Sequence, residues 1–244
     1  LKEQKKIADL LTTVDRQIEK TEALIAKYEA ARNGMMEDFF RRGINEAGKL
    51  RPNVNDVPKL YQDTSVGWIP KDWELVKFGE VFDDQLGKML HSSEVFSEKK
   101  QYPFLANRHV QWGRVNLHDL ETMHFDDNEI ERFKLLPGDL LVCEGGEVAR
   151  TAMWNGEKSY CFFQKAIHRL RSKSVYVSPS YVLRFMEWAK NNGWFTNFTS
   201  QTSIAHLTRE KLLNVYLPLP SLKEQHNISS YFNSIEKMID IDKK

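Results

Sequence analysis

The 244-residue chain has only two cysteines, Cys143 and Cys161, and neither lies in a CxxC or Cys/His spacing. That excludes a disulfide framework and a cysteine-based zinc site, and leaves reduced core thiols as the expectation. No run of about 18 apolar residues occurs, so no transmembrane helix is expected. An excess of charge of one sign is missing too: 35 Lys+Arg against 34 Asp+Glu give a formal net charge of +1. A polyanionic partner would have to be met by a local patch rather than by the total. No signal-peptide pattern is visible and Leu1 is no natural start, so the expectation is a cytoplasmic protein of which this chain is a piece.

Catalytic signatures are also lacking. GGEV at Gly145–Val148 is not a GxGxxG loop, no Asn/Asp-Pro-Pro-aromatic motif occurs, and seven histidines form no HExxH or HxH pair. Asp139, Glu144 and Glu147, or the EQK at Glu3 and the EKK at Glu98, mimic nuclease acid-x-lysine pairs only loosely, and such triples arise by chance in a charged chain. No catalytic residue and no bound metal are expected.

What the chain does have is a stretch written twice. LKEQKKIADLLTTVDRQIE starts at Leu1, and LKEQHNISSYFNSIEKMID starts at Leu222. Four letters are identical, Ile7 recurs as Ile228, and apolar types match at Leu11/Phe232, Val14/Ile235 and Ile18/Ile239. The period is far too long for a solenoid, so the pattern describes a helix, a large domain, and the same helix begun again. In the first copy Ile7, Leu11, Val14, Ile18, Thr21, Ile25, Tyr28, Arg32 and Met35 alternate by four and three, the heptad step. Such a stripe must bury itself against a partner, and Ile228, Phe232, Ile235 and Ile239 offer a matching seam. A coiled-coil strut is therefore expected, with packing on its own domain as the plainer alternative.

Gly43, Gly48 and Pro52 end the first helix, and residues 43–72 have the Asn, Asp, Gly and Pro density of a linker. Strands are expected at WELVKF, QYPFLANRHV, LLVC, TAMW and AIHRLR. Helices are expected at PSYVLRFMEWAK, capped by Ser178, and at REKLL, capped by Thr208, before the extended exit VYLPLP. The fold class is mixed α/β (α+β): a globular domain flanked by long coiled-coil-type helices.

At this point the residues resemble a known family over nearly the whole chain. VGWIPKDWELVKFGEV at the domain entry, LLPGDLLVCEGGEVA in its middle, TSIAHLTREKLLNVYLPLPSLKEQ at its exit and ARNGMMEDFFRRGI closing the first helix look like the specificity subunit of a type I restriction-modification enzyme. In that family two target recognition domains alternate with two conserved, antiparallel helices. The resemblance implies residues 1–42 as one conserved helix, 43–217 as a target recognition domain, and 218–244 as the start of the second helix. It implies double-stranded DNA, methyltransferase (M) subunits and restriction (R) subunits as partners. S-adenosylmethionine, magnesium and ATP would belong to those subunits, and no cofactor to this chain. The chain departs from the pattern in lacking a first recognition domain and the rest of the second helix.

Reading DNA needs cations for phosphates and planar amide or guanidinium groups for base edges. NRHVQWGR offers Asn107, Arg108, His109, Gln111 and Arg114 around a glycine turn, the shape of a loop entering a groove. Arg150 follows the EGGEVA turn. Gln164 and Lys165 precede an alternating strand in which His168, Arg169 and Arg171 form a basic ladder, as readily a solvent-facing edge. Gln201, Thr202, Ser203 and His206 lie between an aromatic-rich segment and a helix, where a capping loop is the alternative. Two other functional readings remain: a coiled-coil assembly module that touches no DNA, and a natural half-subunit that dimerises to read a palindrome.

Overall fold

The computed structural model describes residues 1–91, 99–195 and 206–242. Its first element is α1, Lys2–Arg41, a single uninterrupted helix. At 1.5 Å per residue it is about 60 Å long. It ends in a sharp turn at Gly43, whose φ of 63° is cheap only for glycine. Residues 43–72, expected as a linker, are instead packed structure. Ile44 and Tyr61 are buried, and β1 (Tyr61–Thr64) pairs antiparallel with β2 (Gly67–Pro70).

The domain is built around a four-stranded antiparallel sheet in the order β10-β9-β12-β4, made from Thr151–Met153, Leu140–Cys143, Ile167–Ser172 and Phe82–Leu86. Both faces are covered, which is why LLVC reads as a continuous apolar run with every residue buried. Leu140, Val142 and Leu170 face the helical side. There they meet α2 (Phe78–Val81), α4 (Pro179–Asn191), the end of α1 and α6 (Leu222–Asp242). Leu141, Cys143 and Ile167 face a second core with β11 (Phe162–Phe163), β5 (Gln101–Leu105) and β8 (Glu121–His124), a three-stranded sheet in that order, and with α3 (Asp127–Phe133). Here β11 runs parallel to β5 and β8 antiparallel. The exit strand β13 (Tyr216–Leu219) pairs with β3 (Glu74–Lys77), tying the way out of the domain to the way in. The short α5 (Arg209–Leu213) leads into it. Ser178 and Thr208 stand at the expected N-cap positions, but neither hydroxyl makes a capping bond. The Ser178 N–H instead donates to Gln225 Oε1 at 2.8 Å.

Two further expectations change. The basic ladder is no edge, because β12 is an interior strand and His168 and Arg169 are buried. Burial without a counter-charge would be costly, and each member has one. His168 Nδ1 lies 3.0 Å from Asp84, Arg169 bonds Asp83 at 2.8 Å, and Arg171 forks onto Asp139 at 2.7 and 2.8 Å. The helix seam is the second. α6 runs antiparallel to α1 but pairs with its C-terminal third, not with Ile7–Ile25. Phe40 stacks on Phe232 and Phe39 meets it edge-on, Arg32 reaches Glu236 at 3.1 Å, and Glu187 and Arg184 of α4 complete the knot. Ile228, Phe232 and Ile239 are buried, with Ile235 half-buried, whereas Ile7, Leu11, Val14 and Ile18 are about half exposed. The two free thiols, Cys143 and Cys161, are core residues, as expected; burial pushes them up to about 11 and about 12.

The first turn of α6 holds the domain through a buried carboxylate. Glu224 Oε1 accepts from the Ile44 N–H at 2.7 Å and Arg51 Nη1 at 2.6 Å, and Oε2 from Arg51 Nη2 at 3.0 Å and Trp73 Nε1 at 3.2 Å. A Cβ on Gly43 would stand 2.3 Å from that carboxylate, so only glycine allows the approach. Next to it, buried Gln225 Nε2 donates to Tyr176 O and Pro220 O, both at 2.8 Å.

Candidate nucleic-acid interface

In an antiparallel sheet, alternate strands deliver their loops to the same end. At one end of this domain the loops leaving β4, β5 and β9 meet the turn entering β12 and the segment before α5. Backbone bonds lock them together: Gly87 N–H to Ile167 O, Lys165 N–H to Lys88 O, Gln164 N–H to Leu105 O, Glu144 N–H to Ala166 O, and Leu207 N–H to Glu144 O, all 2.7–3.0 Å. Side chains add to the rim. Asn107 Nδ2 donates to Gly145 O at 3.0 Å, and Arg150 Nη2 donates to Asn107 O at 2.9 Å. Gly146 needs its φ of 73°, and a Cβ there would sit 3.3 Å from Asn107 Nδ2. On Gly145 a Cβ would sit 3.2 Å from the His206 ring. The glycine pair is thus the close-approach point of three loops.

Of the residues singled out from sequence, Asn107, Arg108, Arg150, Gln164, Lys165 and His206 come together on or beside this rim. Lys165 and His206 are exposed and Gln164 is half-buried. Arg108 is exposed and pairs with Glu121 at 2.5 Å. Arg150 is a brace as well as a cation, since it also meets Glu147 at 3.3 Å. His109 does not face outward. It is buried, its Nδ1 takes the Ala106 N–H at 2.8 Å, and burial first, then the Arg108 charge, holds it below its usual range. It shapes the loop that presents its neighbours.

NRHVQWGR is also not one loop. Asn107–His109 is a single 3-10 turn at the rim, and β6 (Val110–Gln111) and β7 (Arg114–Val115) form a hairpin pointing elsewhere. Trp112, Gly113 and Arg114 of that hairpin line a cleft of about 430 Å³ against Glu29, Arg32 and Asn33 of α1 and Glu236 and Ile239 of α6. Arg114 therefore belongs to the junction with the strut. Gln111 donates to Arg108 O at 2.7 Å and steadies the turn. Gln201, Thr202 and Ser203 lie outside the described residues.

Sequence reasoning missed Arg209. It is mostly exposed, close to His206 in the chain, with Nε 3.1 Å from Asp84 Oδ2. That is a charge contact rather than an aligned hydrogen bond. Its signal was present in HLTREK, as a cation opening a helix beside a histidine already noticed. No cluster of three or more His, Cys, Asp or Glu that could hold a metal occurs among the described residues, nor any helix long and apolar enough to cross a membrane. The rim offers amides and cations around backbone turns, a donor-rich surface suited to phosphates and base edges.

Residues 70–244 match the family described as the type I restriction modification DNA specificity domain. The chain is 26% identical to the type I restriction enzyme MjaVIII specificity subunit of Methanocaldococcus jannaschii, over 100% of this chain and 56% of that protein. It is 22% identical to the EcoBI specificity subunit of Escherichia coli, over 98% and 52%. In solved structures it resembles the HsdS subunit from Thermoanaerobacter tengcongensis, with TM-score 0.57, 20% identity and coverage of 93% of this chain and 51% of that one. The S subunit of a type I system from M. genitalium gives TM-score 0.55 at 15% identity, over 97% and 55%. The chain spans about half the length of the curated relatives it matches.

Proposed function

The chain belongs to the family of type I restriction modification DNA specificity domains, and from that premise we propose that it is a non-catalytic reader of DNA sequence, recognising one half of a bipartite target. The observation that carries this reading is the family match over residues 70–244. The rim is the surface that fits it. Lys165 and Arg209 supply exposed cations for phosphates. Arg108 and Gln164 supply the planar groups that discriminate base edges, and Asn107 holds the turn that presents them through its bond to Gly145 O. Methyltransferase and restriction subunits are the partners of this reading, and S-adenosylmethionine, magnesium and ATP act on those subunits.

The test starts from a pool of random duplexes incubated with the purified chain. Repeated selection is expected to enrich a short common sequence whose affinity falls steeply with salt. The isolated chain is expected to transfer no methyl group from S-adenosylmethionine. Enrichment of no sequence, or methyl transfer by the chain alone, overturns the reading. The exposed stripe of α1 keeps a second reading alive, an assembly module that binds another protein and leaves DNA untouched. That reading predicts capture of a methyltransferase subunit with no shift of any duplex.

A further inference from the structure

Among the amides and cations of the rim stands an exposed carboxylate. Glu147 lies in the turn between β9 and β10, where a negative charge repels the phosphates that Lys165 and Arg209 would attract. Both of its oxygens are engaged within the protein. Oε1 accepts from the indole Nε1–H of Trp112, and Oε2 meets Arg150 Nη1 at 3.3 Å. Arg150 Nη2 donates in turn to Asn107 O at 2.9 Å, and Asn107 Nδ2 to Gly145 O at 3.0 Å. Gln111, next to Trp112, closes the ring by donating to Arg108 O at 2.7 Å. The hairpin that carries Trp112 is itself fixed, since its Gly113 N–H donates to Thr151 O at 3.0 Å and the Trp112 ring packs on the helical core. The turn it reaches is strained, with Ala149 at a φ of 66°. A residue other than glycine keeps that conformation only where its surroundings hold it.

We propose that Trp112 and Glu147 are positioning residues for base reading, a proposal that rests on the rim being the DNA surface. Neither side chain is a ligand of DNA. The carboxylate draws the Arg150 guanidinium off the phosphates and aims it at Asn107 O, so that Arg150 serves as a brace. The brace holds the Asn107–His109 turn against Gly145 and Gly146, and Arg108 leaves from that turn. A fork that reads a base edge must be held to within about 0.5 Å of its working position. The indole N–H sets the carboxylate. Without it Glu147 swings into solvent, Arg150 loses its aim, and the turn carrying Arg108 loosens. Affinity for DNA in general is then kept while the choice between bases is lost.

The test uses the 244-residue chain, the duplex it selects from a random pool, and single-base variants of that duplex. Trp112→Phe keeps a ring on the core and removes the N–H. It should cut the preference for the selected duplex over its variants about tenfold, at an unchanged salt slope. Glu147→Gln changes an exposed residue and should fold even where Trp112→Phe does not. With one negative charge gone, its affinity for every duplex should rise while its preference falls. In the double variant the two losses of preference should not add, because both break the same bond. Higher affinity at undiminished preference in Glu147→Gln would make Glu147 a simple surface charge and overturn the proposal, as would losses that add in full. A parent chain that selects no sequence removes the DNA reading, and the proposal falls with it. A parent that selects normally, with variants that discriminate as well as it does, removes the proposal alone.

Discussion

Arg108 and Lys165 are both exposed cations of the rim but should fail in different ways. Arg108 pairs with Glu121 on an open surface, where such a pair is worth at most about 1 kcal/mol. Arg108→Ala should therefore leave the melting temperature nearly unchanged while costing about 1–3 kcal/mol in binding and relaxing one target position, read by titrating single-base variants of the selected duplex. Lys165→Ala should weaken all sequences alike and lower the slope of log affinity against log salt by roughly one unit. Unchanged binding in both variants would remove the rim from the interface. His109 adds a pH dependence. Burial holds its folded form neutral below the usual range, so as pH falls the unfolded chain takes up the proton first. Its stabilising share is complete above about pH 6.5, the unfolded value, and is lost as pH drops through the folded one. His109→Asn keeps an acceptor for the Ala106 N–H without a titrating ring. The fall in melting temperature between neutral and mildly acidic buffer should be smaller in this variant, and an identical fall would show that His109 is not its source. The residue types at the rim were legible in the sequence, because amides and cations near glycine turns are a pattern. Which of them face outward was not: His109 and Arg108 are adjacent letters, and only the direction of the 3-10 turn separates a buried brace from an exposed cation.

At the scale of elements, the two ends of α1 should answer mutation oppositely. Phe232 is fully buried against Phe39 and Phe40, so Phe232→Ala should cost about 3–5 kcal/mol in urea unfolding. Leu11→Ala, at the matching position of the repeat, should change stability by no more than about 0.5 kcal/mol in this chain. Comparable losses at both would mean that the exposed stripe finds a partner in solution, as a dimer or otherwise, and chain mass would identify it. Glu224→Ala should be among the costliest single changes, about 3–5 kcal/mol, because it strands a buried arginine rather than removing a surface charge. Heptad spacing foretold that α1 is a helix with a sticky stripe. It could not say where along the stripe α6 would sit, since every turn of a repeated seam offers similar apolar positions. The choice fell to the bulky Phe39, Phe40 and the Arg32 knot near its C-terminal end.

For the whole molecule, α1 should behave as a spacer. Its first half touches nothing else among the described residues' cores, so one added heptad after Ile18 should leave the melting temperature of this chain unchanged. The chain's longest dimension should grow by about 10 Å in small-angle scattering. In a two-domain subunit, with the partner helix lengthened to match, the preferred spacer between half-sites should grow by up to about three base pairs. Some affinity should be lost to the rotation that DNA twist imposes. A spacer optimum that stays put while the protein remains folded would show that the helix does not set the distance.

The sequence by itself determined the helix–domain–helix order, the mixed sheet-and-helix class and the apolar runs that became β9 and the helix faces. These are signals of local period and composition, written within a few residues of one another. Only the tertiary structure decided the pairing of β12 between β9 and β4, which turned a basic ladder inward onto Asp83, Asp84 and Asp139. It also decided that Glu224 reaches back to Arg51 and Gly43. Those partners lie far apart in sequence, and the free energy that selects them comes from burying a charge only where its counter-charge already waits, which no local pattern encodes.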